Sequence, residues 1–247
     1  MRVRYTGSMA LLFVLICIEL VCLSLLSRHL TNAIYHVLIM FFRTPTIAMP
    51  ILIALLFPGT LIHELSHMII AELMGVRTGK LTLVPESIEG SHIPLGSVAI
   101  QETDAFRRSV IGVAPLLVGI AGLVILSSML PSLWNQTVEA SRQNMLFSSL
   151  PPYLFLLSSY LIFCISNSMY SSQEDMKGVI PLLVVLGMIG LAIYFAGVRI
   201  AFTGSLLAQG TIVFSSIAKS LSLVLLINLL LSGTTFVILR ISGQKRR

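Results

Sequence analysis

The sequence predicts an all-α polytopic membrane protein with about six transmembrane helices and one small β-hairpin element between the second and the third. Three observations carry this. Of 247 residues, 56% are apolar and only 11% are charged, against roughly 25% charged in a soluble domain. The mean hydropathy is +0.96. The apolar residues are gathered in runs of about 20, the length a helix needs to cross a hydrocarbon core of about 30 Å. A water-facing surface needs far more charge than this chain carries, so a soluble enzyme is excluded. The longest stretch without such a run, residues 76–108, is too short to bury a core of its own. One membrane domain, 1–247, is expected.

In chain order, the spans are expected near 9–27, 47–75, 109–130, 150–168, 178–197 and 217–240. The first follows Arg2 and Arg4, but its apolar stretch exceeds a signal-peptide core and has no clear small-residue cleavage site. Leu30 to Phe42 is apolar, short for a crossing and followed by Arg43 and Pro45, which predicts an interfacial or re-entrant piece. The second span, taken as one straight helix, would be about 43 Å long, so Pro58-Gly59 is expected to permit a break or tilt. Between the second and third spans, Thr78 to Val84 and Leu95 to Gln101 alternate in the way of short strands. Ala201 to Ser216 carries Gly204 and Gly210, predicting a loop with a surface helix.

Charge orients the chain. With six spans and the N-terminus inside, eleven of the sixteen Lys and Arg fall on inner segments, so both termini are expected to be cytoplasmic. The net charge of +6 does not point to nucleic acid, because the basic residues sit in small groups at the ends of apolar runs. Cys17, Cys22 and Cys164 lie within apolar runs and are expected to be reduced and structural.

Within the second span, His63-Glu64-Leu65-Ser66-His67 forms H-E-x-x-H. On a helix, residues four apart project from one face, where two imidazoles grip one Zn²⁺ at about 2.0–2.1 Å. Glu64 then lies beside the metal, placed to take a proton from metal-bound water and pass it to a leaving amine. With five His and eight Glu, chance yields this pattern in roughly three chains of a thousand. Its place sharpens the signal: each ionisable residue within a bilayer costs roughly 2.5–3.5 kcal/mol on insertion scales, and a metal offsets three at once.

A catalytic zinc takes a third protein ligand and keeps a fourth position open. Outside the motif, His29, His36, His92, Asp104, Asp175 and the other glutamates are the candidates. Asp175 stands out at the cytoplasmic junction of the fourth and fifth spans, with Glu174 its nearest competitor; the plainer reading of Asp175 is a helix N-cap. Elsewhere, Glu19 and Asn228 read as interhelical hydrogen-bonding groups, and Glu72 as a water-facing acid near the end of its span.

H-E-x-x-H in the second of six spans, a short β-rich loop, Gly112-Val113-Ala114-Pro115 entering the third span, and an Asn and Asp around the end of the fourth together resemble the site-2 protease family of intramembrane zinc metalloproteases. The resemblance covers about residues 55–180 and is sharpest at the histidine motif. It implies a catalytic core at about 47–197 with peripheral helices at 1–46 and 198–247; members of the family often carry PDZ or other soluble domains, for which this chain has no room, so a minimal, core-only form is expected. It implies His63, His67 and Asp175 as zinc ligands, Glu64 as catalytic base, and Asn167 as a substrate or oxyanion contact. The chain departs from the family pattern at Met176, which stands where glycine follows the aspartate, and at Tyr170, which stands where proline is expected. The implied reaction is hydrolysis of a peptide bond in or near a transmembrane segment of a membrane-protein substrate, the strip at 95–101 pairing with the unwound segment as an added strand. The competing reading is a non-proteolytic membrane subunit whose zinc-binding core holds a partner helix; oligomeric state stays open.

Overall fold

The computed structural model describes residues 3–82, 97–169 and 204–244, with Val184, Val185, Met188, Ala192 and Phe195 between them. In order along these residues run α1 (Val3–Phe42), α2 (Pro45–Leu73), β1 (Thr78–Thr82), β2 (Ser97–Ile100), α3 (Ala105–Arg142), α4 (Pro151–Ser168) and α5 (Gly204–Gln244). Four of the described helices, α1, α2, α3 and α5, are long and apolar enough to cross a membrane. The protein is therefore a helical, multi-pass membrane protein with a small sheet. The count of six is not reached among the described residues. Helix α4 has 18 residues and dilutes its apolar run with two prolines and a Ser-Asn-Ser end. The expected span at 178–197 is described at five positions, all helical.

Two expectations are corrected. Leu30 to Phe42 is not a separate interfacial piece: α1 runs through it as one 40-residue helix. No Gly or Pro interrupts the segment, and it has a partner, because Ile34, Tyr35 and Leu38 pack against Met49, Leu52 and Leu56 of α2. The chain reverses at Arg43, whose φ of 59° lies in the left-handed region that ends many helices. Likewise, 204–216 is not a loop with a surface helix, since α5 is continuous from Gly204; 201–203 lie outside the described residues. An isolated glycine costs a helix only about 1 kcal/mol, and packing of Phe214, Ile217 and Ala218 into the core outweighs it. Helix α2 also continues through Pro58 without a break.

The expected hairpin is present. β1 and β2 pair antiparallel with Thr78 opposite Ile100 and Thr82 opposite Ser97, and the register shifts between Thr78 and Leu81. The segment joining the strands lies outside the described residues.

The core draws Leu23 from α1, Leu123 from α3, Ile162 from α4 and Leu221 and Val224 from α5. Helix α4 is the one the others close upon. Its last residues, Cys164 through Met169, are all buried. A Cβ placed on Gly59 of α2 would stand 2.2 Å from the Cys164 carbonyl oxygen and 2.3 Å from Ser168 Oγ, and one on Gly119 of α3 would stand 3.0 Å from Met169 Cβ. Glycine thus lets α2 approach the α4 backbone and α3 seat the Met169 side chain, the role small residues play between helices in lipid.

Candidate metal centre

His63, Glu64 and His67 are buried, each 4–5% exposed, on the second half of α2. The sequence makes this half helical by default: Thr60 to Leu73 contains no glycine or proline, and the hydroxyls of Thr60 and Ser66 return to the carbonyls of Leu56 and Ile62 on their own helix. The 3.6-residue period then stacks the two imidazoles, with ring centroids 4.9 Å apart and planes at 79°. Two nitrogen donors on one face of a buried helix fit a zinc ion chemically.

His67 is further held by α3. Its Nδ1 lies 2.9 Å from the Ile111 carbonyl oxygen. A carbonyl only accepts, so Nδ1 carries a hydrogen, and in the neutral ring Nε2 then keeps the lone pair that a metal requires. Around this contact Ala71 and Val76 pack against Ile111, and α2 ends at Gly75 with a φ of 71°, turning the chain into β1.

Among the described residues, no group of three His, Cys, Asp or Glu side chains is arranged to hold a metal ion. Asp175 and its competitor Glu174 lie outside the described residues, as does His92. Glu72 is exposed, as expected.

Asn167 is buried at the end of α4 in a polar seam. Its Nδ2 donates to the Phe163 carbonyl at 2.8 Å and to Asn228 Oδ1 of α5 at 3.0 Å, and lies 3.3 Å from Ser166 Oγ. Asn228 Nδ2 donates in turn to Ser166 Oγ at 3.0 Å, and Ser27 Oγ of α1 donates to the Asn167 carbonyl at 3.0 Å. The Oδ1 of Asn167 is buried without a hydrogen-bond partner among the described residues. This side chain thus has its amide hydrogens committed, one to its own helix and one to α5, and its carbonyl oxygen is the atom left to offer. Glu19 is hydrogen-bonded to another helix, as expected: its Oε1 accepts from Ser222 Oγ of α5.

The support of His67 by Ile111, the Ser27–Asn167–Asn228 seam and the donation from Tyr160 OH and Cys164 Sγ to the Leu55 carbonyl, at 2.9 and 3.2 Å, were not anticipated from sequence. One signal was there to read: proline inside a helix leaves the carbonyl four residues earlier without its N–H donor. Pro115 does this to Ile111; the carbonyl that Pro58 leaves is that of Ala54 and not of Leu55, so the Leu55 contacts carried no such signal.

Comparison with protein-family models, with curated proteins and with solved structures finds no match.

Proposed function

We propose that this protein is a zinc-dependent intramembrane endopeptidase that hydrolyses a peptide bond in or near a transmembrane segment of a membrane-protein substrate. The observation that carries the reading is the burial of His63, Glu64 and His67 together on one membrane-spanning helix, with His67 Nδ1 tied to the Ile111 carbonyl. A buried carboxylate flanked by two ligating imidazoles is costly in a bilayer, and a purely structural zinc site has no use for a base beside its ligands.

In this reading His63 and His67 hold zinc with Asp175 as third ligand. Asp175 lies seven positions after Ser168, and Ser168 packs at Gly59, one helical turn before His63. Seven residues reach at most about 25 Å when extended, enough to return an aspartate to the imidazoles. When bound, zinc polarises the scissile carbonyl and activates a water molecule. Glu64 takes a proton from the attacking water and delivers it to the amide nitrogen as the carbon–nitrogen bond breaks, leaving a carboxylate and an amine. His67, oriented through Nδ1, keeps its ligating nitrogen fixed throughout. A substrate helix must unwind before its carbonyl is accessible, since helical backbone groups are already paired with one another. The β2 strand, antiparallel to β1 and packed near the end of α2, offers an edge on which such a segment pairs.

The test combines zinc content with cleavage of a transmembrane substrate by purified wild type, Glu64→Gln and Asp175→Ala. The expected result is one zinc retained and hydrolysis lost in Glu64→Gln, and zinc lost in Asp175→Ala. Zinc bound by wild type without cleavage of any substrate would favour the non-proteolytic subunit.

A further inference from the structure

We infer that Pro115 is a positioning residue for His67, an inference that rests on reading His67 as a metal ligand. In an α-helix the Ile111 carbonyl accepts from the N–H of residue 115. In α3 that residue is Pro115, which has no N–H. Ile111 is buried, 2% exposed, and an open carbonyl in a buried, lipid-surrounded site demands another donor. The donor is His67 Nδ1, at 2.9 Å. Proline thus reserves one backbone oxygen of α3 for one imidazole of α2. The consequence is chemical as well as mechanical. A neutral imidazole with its hydrogen on Nδ1 presents the lone pair on Nε2, and the ring cannot rotate without abandoning its hydrogen bond to the Ile111 carbonyl. With an ordinary residue at 115, the restored N–H competes for the same oxygen and the imidazole is free to exchange tautomers.

The test uses the full-length protein in nanodiscs with ¹⁵N-labelled histidine. His67 is assigned by comparison with His67→Asn, and tautomers are read from the ring-nitrogen shifts of metal-free protein. Zinc affinity is measured by competition with a chelator for wild type, Pro115→Ala and Pro131→Ala. Pro131 lies in the same helix at an exposed position and controls for the general effect of removing a helix proline. The expected result is the Nδ1–H tautomer at His67 in wild type and in Pro131→Ala. In Pro115→Ala, mixed tautomers and zinc affinity lowered about tenfold are expected, the lower end of the usual effect of losing a ligand's supporting hydrogen bond. An Nε2–H tautomer in wild type overturns the inference without recourse to any variant, so it stays testable if Pro115→Ala fails to fold. Unchanged tautomer and affinity in Pro115→Ala also overturn it while leaving the protease reading intact. Absence of zinc binding by wild type overturns the metal-site reading and this inference with it.

Discussion

Gly59 and Asn228 are single residues on which the geometry around the candidate site depends. At Gly59 the atoms that an added Cβ would meet are the carbonyl oxygen and carbon of Cys164, at 2.2 and 2.5 Å. Backbone atoms cannot swing aside as a side chain can, so α4 itself must move. Gly59→Ala is therefore expected to lose at least the 1–3 kcal/mol typical of overpacking, about that range, and to weaken zinc binding, because the chain leaving α4 leads to Asp175. Unfolding in mild detergent and zinc retention measure the two effects. Asn228 joins α5 to Ser166 and Asn167 of α4. Asn228→Ala removes these bonds, and interhelical hydrogen bonds in lipid contribute about 0.6–2 kcal/mol, so a loss of that size is expected in the same assay. A neutral result would show that Asn167 finds new partners. The commitment of the Asn167 amide hydrogens also bears on its expected role, since an oxyanion is stabilised by donors and the atom left unpartnered is an acceptor.

Among the elements, the ends of helices carry most of the departures from expectation. Apolar runs show where lipid is the solvent, but α1, α3 and α5, at 40, 38 and 41 residues, all outrun the bilayer. Their extensions persist because each finds something to pack on or lacks a residue that would stop it. Where helices do stop, local chemistry is visible: left-handed Arg43, Gly75 and Asn144 follow α1, α2 and α3. A non-glycine residue in that region costs about 1–2 kcal/mol, so Arg43→Gly is expected to raise the thermal midpoint slightly while leaving the α1–α2 hairpin intact; a lowered midpoint would show that the Arg43 side chain anchors the turn. The start of α3 is capped by Asp104, whose Oδ1 accepts from the Arg107 N–H at 3.0 Å and whose Oδ2 lies 3.3 Å from Arg107 Nε. That backbone hydrogen bond, aided by the Arg107 charge, holds the carboxyl below its ordinary value of 3.8. A depressed carboxylate stabilises the folded state above the unfolded value, and the contribution disappears as pH falls through the folded one. The extra protection of the Arg107 amide in wild type over Asp104→Ala, read by hydrogen exchange, is expected to be full at neutral pH and to shrink below about pH 4.

For the whole molecule, the arrangement of α1, α2, α3 and α5 around the end of α4 explains why a chain with so few polar residues spends several of them there. Ser27, Ser166, Asn167, Ser168 and Asn228 are all buried, and all but Ser168 share in the hydrogen bonds that join α1, α4 and α5. The orientation of this bundle in the membrane is open to a direct test. Six crossings place both termini in the cytoplasm, whereas α4 crossing without its expected successor at 178–197 places them on opposite sides. Reporter fusions at residues 1 and 247 are expected to report the cytoplasm at both ends, and a split result would remove one of the two crossings.

Composition and run length by themselves determined that the protein lives in a membrane, and the strand-like alternation around 78–84 and 95–101 marked the hairpin. The spacing of His63 and His67 determined their shared face, with Glu64 beside it, because helical periodicity is local and a four-residue interval needs no tertiary knowledge. What only the tertiary structure decided is which groups answer them: the Ile111 carbonyl under His67, Asn228 beside Asn167, Ser222 on Glu19. These partners lie 44, 61 and 203 positions away along the chain. Hydropathy records the solvent each residue prefers, but a polar group buried between helices takes whichever donor or acceptor the packing brings within about 3 Å, and that choice belongs to the fold as a whole.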